Sequence, residues 1–257
     1  MHNERRLFMK KILSIFIITI VLGISSIALA EKPSVTIGLK TWVATGELDI
    51  GDETYESDYG LMYGPGINVR YQNFFGGISY LLGSFSFPEL EDRWIDSNED
   101  GFEDFDEITN IDFNADRKDL DLSVGYYFHP NIALLLGYKM TDFDYTSDLI
   151  DFGSSYDATE TRKGPVLGVV GNYRIGESRW SLFGNLSYVM LDSEFKPEGG
   201  DTEKDDIKGP AIEFGAAYAA ENIPLSVSVG YKYQSYEYGE GGEDIFGGLT
   251  FGVNYTL

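Results

Sequence analysis

From Ser34 onward the chain alternates large apolar residues with small or polar ones, the period-two signature of strands that face two environments at once. Ten segments carry it, over about 34–46, 59–72, 74–87, 116–128, 131–146, 163–175, 179–195, 207–221, 223–238 and 244–257. In the last, Ile245, Leu249, Phe251, Val253, Tyr255 and Leu257 take one face, and Gly248, Thr250, Gly252, Asn254 and Thr256 the other. The ninth sets Leu225, Val227, Val229, Tyr231 and Tyr233 against Ser226, Ser228, Gly230, Lys232 and Gln234. No helix-length apolar run follows residue 30, so the pattern predicts an all-β chain.

The connections alternate in length. Gln72-Asn73, His129-Pro130-Asn131, Gly176-Glu177-Ser178 and Glu221-Asn222-Ile223-Pro224 are tight turns; about 47–58, 88–115, 147–162, 196–206 and 239–243 are longer polar stretches. An even number of strands, with short turns at one end and longer loops at the other, predicts an up-and-down antiparallel transmembrane β-barrel of about ten strands. Eight or twelve strands remain the alternatives if a pair is miscounted. A soluble barrel binding an apolar ligand would share this meander and differ only in which face is apolar. One face is nearly free of charge and the other is rich in Gly, Ser, Thr and Asn, so the apolar face is assigned to lipid and the polar face to the lumen. Aromatic residues near both strand ends, Tyr71, Phe74, Phe75, Phe128, Tyr173, Trp180, Tyr218 and Tyr255 by the turns and Tyr59, Phe87, Tyr145, Phe195, Tyr236 and Tyr238 by the loops, predict two interfacial belts.

Composition agrees with β structure and narrows the chemistry. The 257 residues include 18 Tyr, 17 Phe and 30 Gly, and no cysteine, which removes disulfides, thiolate catalysis and Cys-ligated zinc. At the amino terminus Arg5, Arg6, Lys10 and Lys11 precede an apolar run from Ile12 to Ile27 and the small-x-small site Ala28-Leu29-Ala30. Residues 1–30 are therefore expected to be a cleaved signal peptide, and residues 31–257 the barrel domain. A retained anchor is the alternative for the same run. Without residues 1–30 the chain keeps 15 basic and 41 acidic residues, a net charge of −26, which repels nucleic acid. His2 lies in the signal, so any histidine-based chemistry would fall to His129.

Leu249-Thr-Phe251-Gly-Val253-Asn-Tyr255-Thr-Leu257 resembles the carboxy-terminal signature of bacterial outer-membrane β-barrel proteins, with Leu257 where that class usually carries Phe or Trp. The whole pattern looks most like the small OmpA/OmpW-type barrels. The resemblance implies residence in the outer membrane of a Gram-negative-type cell, contact with outer-membrane lipid, recognition by the barrel assembly machinery and a monomeric state. It implies short periplasmic turns and external loops. Barrel enzymes of that class, the omptin proteases and the lipid A acyltransferases and deacylases, depend on histidine near the outer rim. Here His129 falls in a tight turn, so the chain is expected not to be an enzyme.

The longest loop contains Asp96-Ser-Asn98-Glu-Asp100-Gly101-Phe102-Glu-Asp104-Phe-Asp-Glu107, which resembles an EF-hand-type calcium loop. Asp96, Asn98 and Asp100 stand at positions 1, 3 and 5, Gly101 at the sharp turn, the Phe102 carbonyl at 7, Asp104 at 9 and Glu107 at 12. A hard cation needs many converging oxygens, and alternate residues of a tight loop supply them. Position 8 is Glu103 rather than apolar, and no amphipathic helices flank the loop, so an isolated structural Ca2+ site is expected, not a paired switch. The other loops are acidic as well, including Asp157 and Glu160, and Glu240, Glu243 and Asp244, and divalent cations are expected partners.

The inward face carries Lys40, Arg70, Lys139, Arg174 and Lys232 together with Asp119, Asp121 and Glu213. Mixed charges in a confined interior predict paired groups that plug the lumen, with a narrow pore or transporter for small solutes as the alternative. The expected role is structural or ligand-binding.

Overall fold

The computed structural model describes residues 32–50, 53–87, 94–96, 105–107, 111–149, 154–239 and 241–257. Among the described residues thirteen strands run in chain order: β1 (Ser34–Ile50), β2 (Glu53–Glu56), β3 (Gly60–Tyr71), β4 (Phe74–Phe87), β5 (Trp94–Asp96), β6 (Phe105–Glu107), β7 (Ile111–His129), β8 (Ile132–Leu149), β9 (Ser154–Arg174), β10 (Trp180–Pro197), β11 (Glu203–Ala219), β12 (Leu225–Tyr238) and β13 (Glu243–Thr256). Ten of these, β1, β3, β4 and β7 to β13, pair antiparallel with their sequence neighbours, and β13 returns to β1 from Thr36↔Thr256 to Leu48↔Asp244. The sheet is thus closed and has no free edge, as a strand structure in lipid requires. β2 adds a short flap to β1, and β5 and β6 form a separate hairpin.

Tight turns close one end. Gln72 adopts φ 51° between β3 and β4, and Gly176 φ 54° between β9 and β10, where the Ser178 amide donates to the Ile175 carbonyl at 3.0 Å. These left-handed positions reverse the chain within a few residues.

Outward positions near this end are uncharged on every strand, and apolar but for residues such as Thr41 on β1. On β7 the outward set from Leu120 to Phe128 carries no charge, on β8 that from Ile132 to Met140, on β11 that from Pro210 to Tyr218, and on β12 that from Leu225 to Tyr233. Each run matches the roughly 9–11 residues a tilted strand needs to cross the hydrocarbon core. Just beyond it come outward charges: Lys118, Asp142, Lys163, Asp192, Lys208 and Glu237. Leu39, Leu134, Leu186 and Phe214 are more than half exposed, which in water would be a large apolar liability.

The strands run further toward the loops than the hydrophobic alternation does. β7 starts at Ile111 instead of about 116, β9 at Ser154 instead of about 163, and β11 at Glu203 instead of about 207. Above the apolar band the outward side chains turn polar, so the hydrophobic period vanishes while the hydrogen-bonded ladder continues, as in Thr159↔Lys196 and Asp205↔Ser193. The loop-side aromatic belt needs correcting too. Phe87 and Tyr236 are 1% and 2% exposed and point into the barrel, as do Tyr145, Phe195 and Tyr238; only Tyr59 lies outward in the solvent. In the turn-side belt Phe74, Phe128, Tyr173, Trp180 and Tyr255 do face out, whereas Phe75 points inward against the Tyr127 ring.

Candidate functional site

The barrel interior divides into a filled half and a hollow half. Toward the loops, every barrel strand sends in at least one side chain no more than 2% exposed: Trp42 (β1), Met62 (β3), Leu81 (β4), Arg117 (β7), Thr141 (β8), Arg162 (β9), Val189 (β10), Ile207 (β11), Tyr236 (β12) and Phe246 (β13). Glycine makes room for the rings: a Cβ at Gly46 would lie 2.6 Å from the Phe246 ring. Phe246 meets Phe85 at 5.3 Å between centroids, and Phe143 stacks on Tyr145 at 5.5 Å.

Charges thread this disc because strand alternation puts residues i and i+2 on one face. On β7, Arg117 and Asp119 form a two-point pair, Nε to Oδ1 at 2.9 Å and Nη2 to Oδ2 at 3.0 Å. Lys139 on the neighbouring strand donates to Asp119 at 2.9 Å and Asp121 at 3.1 Å. Arg117 also donates to Gln234 at 2.8 Å, and Gln234 in turn to the Tyr236 hydroxyl at 2.7 Å. A second group centres on Arg162, which donates to Glu160 at 2.7 and 2.6 Å and to the Tyr238 hydroxyl at 2.5 Å, and pairs with Asp244 at 2.6 Å. Glu160 also accepts from Ser193 at 2.5 Å and from Tyr145 at 2.9 Å.

The cations also lie over rings. The Arg117 guanidinium lies 4.5 Å from the Phe246 centroid, that of Arg162 4.5 Å from Phe143, and the Lys232 ammonium 4.3 Å from Trp42. Such contacts strengthen as water is excluded. Along the interior, Lys40, Arg117, Lys139, Arg162 and Lys232 are matched by Asp119, Asp121, Glu160, Glu213 and Asp244, so the ten charges cancel. Burying unpaired charge would cost several kcal/mol per ion, which explains why the set is balanced.

Toward the tight turns many inward residues shrink to Ser, Gly, Asn and Ala, with Phe75, Tyr127, Leu135, Val170 and Phe183 as the larger ones among them. A cavity of about 460 Å³ extends from the Lys40–Glu213 pair past Ser228 to Ala219 and Ser226. A second of about 200 Å³ lies on the other side of Lys40, against Asn68, Ser79 and Asp121. Lys40 donates to both Glu213 oxygens at 2.6 Å, and Thr250 donates to one of them at 3.3 Å.

Six of the eight residues expected in the lumen, Lys40, Asp119, Asp121, Lys139, Glu213 and Lys232, thus lie inside the barrel. Arg70 and Arg174 sit apart at the turn rim: Arg70 donates to the Gln72 carbonyl at 3.4 Å beside the Tyr127 ring, and Arg174 to the Ser178 carbonyl at 2.9 Å. Glu160 and Asp244, expected in acidic loops, are instead 4% and 3% exposed inside the disc. Arg117, Arg162 and Trp42 escaped the sequence reading, although the Arg117/Asp119 and Glu160/Arg162 spacing of two was there to find them.

In the calcium-type loop, Asn98, Asp100, Phe102 and Asp104 lie outside the described residues, and Asp96 and Glu107 are described as strand backbone. The β5–β6 ladder pairs Asp96 with Phe105 and Glu107 with Trp94. Among the described residues no group of three or more His, Asp or Glu side chains could hold a metal. His129 is exposed at its turn, its Nδ1 accepting from the Asn131 amide at 3.3 Å.

A closed ten-stranded up-and-down barrel with a lipid-type outer face has the fold of the bacterial outer-membrane β-barrel proteins. Among solved structures, the outer-membrane protease OmpT from Escherichia coli is similar with a TM-score of 0.55 at 16% identity, covering 89% of this chain and 98% of that one. The translocator domain of the autotransporter NalP from Neisseria meningitidis matches at TM-score 0.46 and 11% identity, over 90% of this chain and 91% of that one. Neisserial surface protein A matches at 0.40 and 10%, over 88% and 99%. No protein-family model and no curated protein sequence matches the chain. At these identities the likeness is one of fold.

Proposed function

We propose that this chain is a monomeric integral outer-membrane barrel, exported by a signal peptide over residues 1–30, whose lumen is sealed and whose role is structural or ligand-binding. The observation that carries the reading is the disc to which all ten strands contribute a buried side chain. A solute path would have to displace paired charges and stacked rings together, which disfavours a narrow pore. The uncharged band of outward residues supports lipid as its surroundings, and the terminal strand from Leu249 to Leu257 supports assembly by the barrel machinery. OmpT is a protease, but this chain is taken as non-enzymatic, because His129 stands exposed at the tight-turn end with its Nδ1 accepting from the Asn131 amide.

Planar-bilayer recording tests the seal. The parent protein is expected to give no discrete conductance steps, and the double variant Trp42→Ala/Phe246→Ala to give them. Steps from the parent would overturn the reading.

The loop over 96–107 is read as a structural Ca2+ site, supported by its ligand spacing, by Gly101 and by the hairpin that draws its two ends together. Calorimetric titration of the refolded barrel is expected to show one calcium site with a Kd on the order of 10⁻⁴–10⁻³ M, as for extracellular modules. Asp96→Ala and Glu107→Ala should each abolish it. Unchanged binding in both variants would remove the assignment.

A further inference from the structure

The hollow half of the lumen has a chemistry of its own. Its cavity of about 460 Å³ falls within the roughly 300–1,000 Å³ of small-molecule sites. The charges at its deep end are already committed, since the Lys40 ammonium is bonded to both oxygens of Glu213. An ion entering there would meet a neutralised pair and not a free counter-charge.

The other groups that line the cavity are neutral. Asn172, Asn254, Ser181, Ser226 and Ser228 carry amides or hydroxyls, each able both to donate and to accept, and Thr250 adds a hydroxyl that donates to Glu213. Deeper in, the buried Asn185 Oδ1, across the ladder from Glu213, has no hydrogen-bond partner among the described residues. An apolar guest would leave such groups unpaired, which costs about 1–3 kcal/mol for each. One wall differs: Phe183 lies against the backbone of Gly215 and Gly230, where a Cβ would come within 2.6 and 3.1 Å of its ring. It offers a flat apolar face amid hydroxyls and amides, and Leu39, Ala217, Ala219 and Phe251 complete the apolar part of the lining.

We propose that the lower lumen is a binding cup for a small neutral polyhydroxylated solute, a mono- or disaccharide in size and chemistry, admitted from the tight-turn end alone. Hydroxyls of the guest would satisfy the amide and serine groups, and a C–H face would rest on Phe183. The disc of Trp42, Arg117, Arg162 and Phe246 closes the other end, so the inference rests on the sealed-barrel reading and names the ligand class for its binding role.

The chain has no cysteine, so Ser228→Cys places a single thiol in the cup. The full protein, in proteoliposomes of uniform orientation, is treated with a membrane-impermeant maleimide applied to one face at a time. Labelling is expected from the tight-turn face only, slowed several-fold by glucose or sucrose and left unchanged by sodium chloride or phenol. Asn131→Cys, in a turn outside the cavity, should label at a rate that neither sugar alters. Ser181→Cys provides a second thiol in the cup should Ser228→Cys fold poorly. One-sided labelling that no sugar slows, or equal protection by chloride or phenol, would overturn the cup and leave the seal standing. Labelling from the loop face would overturn both.

Discussion

The loop-end and turn-end halves of the lumen are built on the same ten strands with the same alternation, yet one is solid and the other hollow. Along β12 the inward positions are Lys232, Gln234, Tyr236 and Tyr238 toward the loops, and Ser226, Ser228 and Gly230 toward the turns. Along β13, Asp244 and Phe246 give way to Gly252 and Asn254. Strand number sets a barrel's diameter; inward side-chain volume, strand by strand, decides whether that diameter is filled. A ten-stranded barrel is wide enough that small residues leave a cavity and narrow enough that one ring of large ones closes it.

The sharpest way to break the comparison is at the cation that holds the solid half together. Arg162→Ala leaves Glu160 and Asp244 as buried carboxylates without their common partner, 4% and 3% exposed. Removing one member of a buried charge group costs about 3–5 kcal/mol. The midpoint of urea unfolding, or the temperature at which the folded gel band converts, should fall accordingly, and Arg162→Lys should recover only part of the loss because it cannot bond in two-point fashion. A change below about 1 kcal/mol would mean that the rings, and not the ions, organise the disc.

Much of this architecture was legible in the sequence. The ten strands, the closure and the turn end followed from period-two alternation and from Gln72-Asn73, Pro130 and Gly176, because lipid on one side of the sheet enforces a strict hydrophobic period. The filled half was not legible by the same signal. Above the membrane the outward residues are polar, so segments such as 154–162 read as acidic loop, and Glu160 was counted with the loops although it is strand and buried. Aromatic residues there imitate an interfacial belt, since sequence alone does not tell Tyr236 facing inward from Tyr236 facing lipid once its neighbours Ser235 and Glu237 are polar too. Only the spacing of two in Glu160/Arg162 and Arg117/Asp119 hinted that these charges share a face. The calcium-type loop belongs to yet another regime, in which ligand spacing is informative and the strand period is silent.

Two serines on one strand and one face sharpen the contrast at smaller amplitude. Ser193 and Ser181 both point inward from β10, but Ser193 donates to Glu160 at 2.5 Å inside the disc, whereas Ser181 lines the cavity. Ser193→Ala removes a hydrogen bond to a charged acceptor and should cost about 1.5–3 kcal/mol. Ser181→Ala, facing open space, should stay within about 0.5 kcal/mol of the parent. Equal losses in denaturant titrations of the two variants would show that the lower half is as tightly coupled as the upper.

A similarly small effect is expected where the loop-end half turns its face outward. Lys118 stands next to Asp119 in sequence but on the opposite side of the sheet, paired with Asp144 at 2.7 Å; these two side chains are 45% and 50% exposed. Lys139, paired with Asp119 across the same pair of strands, is 3% exposed. Water and salt screen the first pair and not the second, so Lys118→Ala should cost only about 0.2–1 kcal/mol. That small cost should shrink further as sodium chloride shortens the Debye length from about 10 Å at 0.1 M to about 3 Å at 1 M. Lys139→Ala should lose more, and its loss should hardly change over that range, because the ions cannot reach the disc. If both variants responded to salt alike, Asp119 and its partners would have to be in contact with bulk solvent, and the upper lumen would not be the dry half.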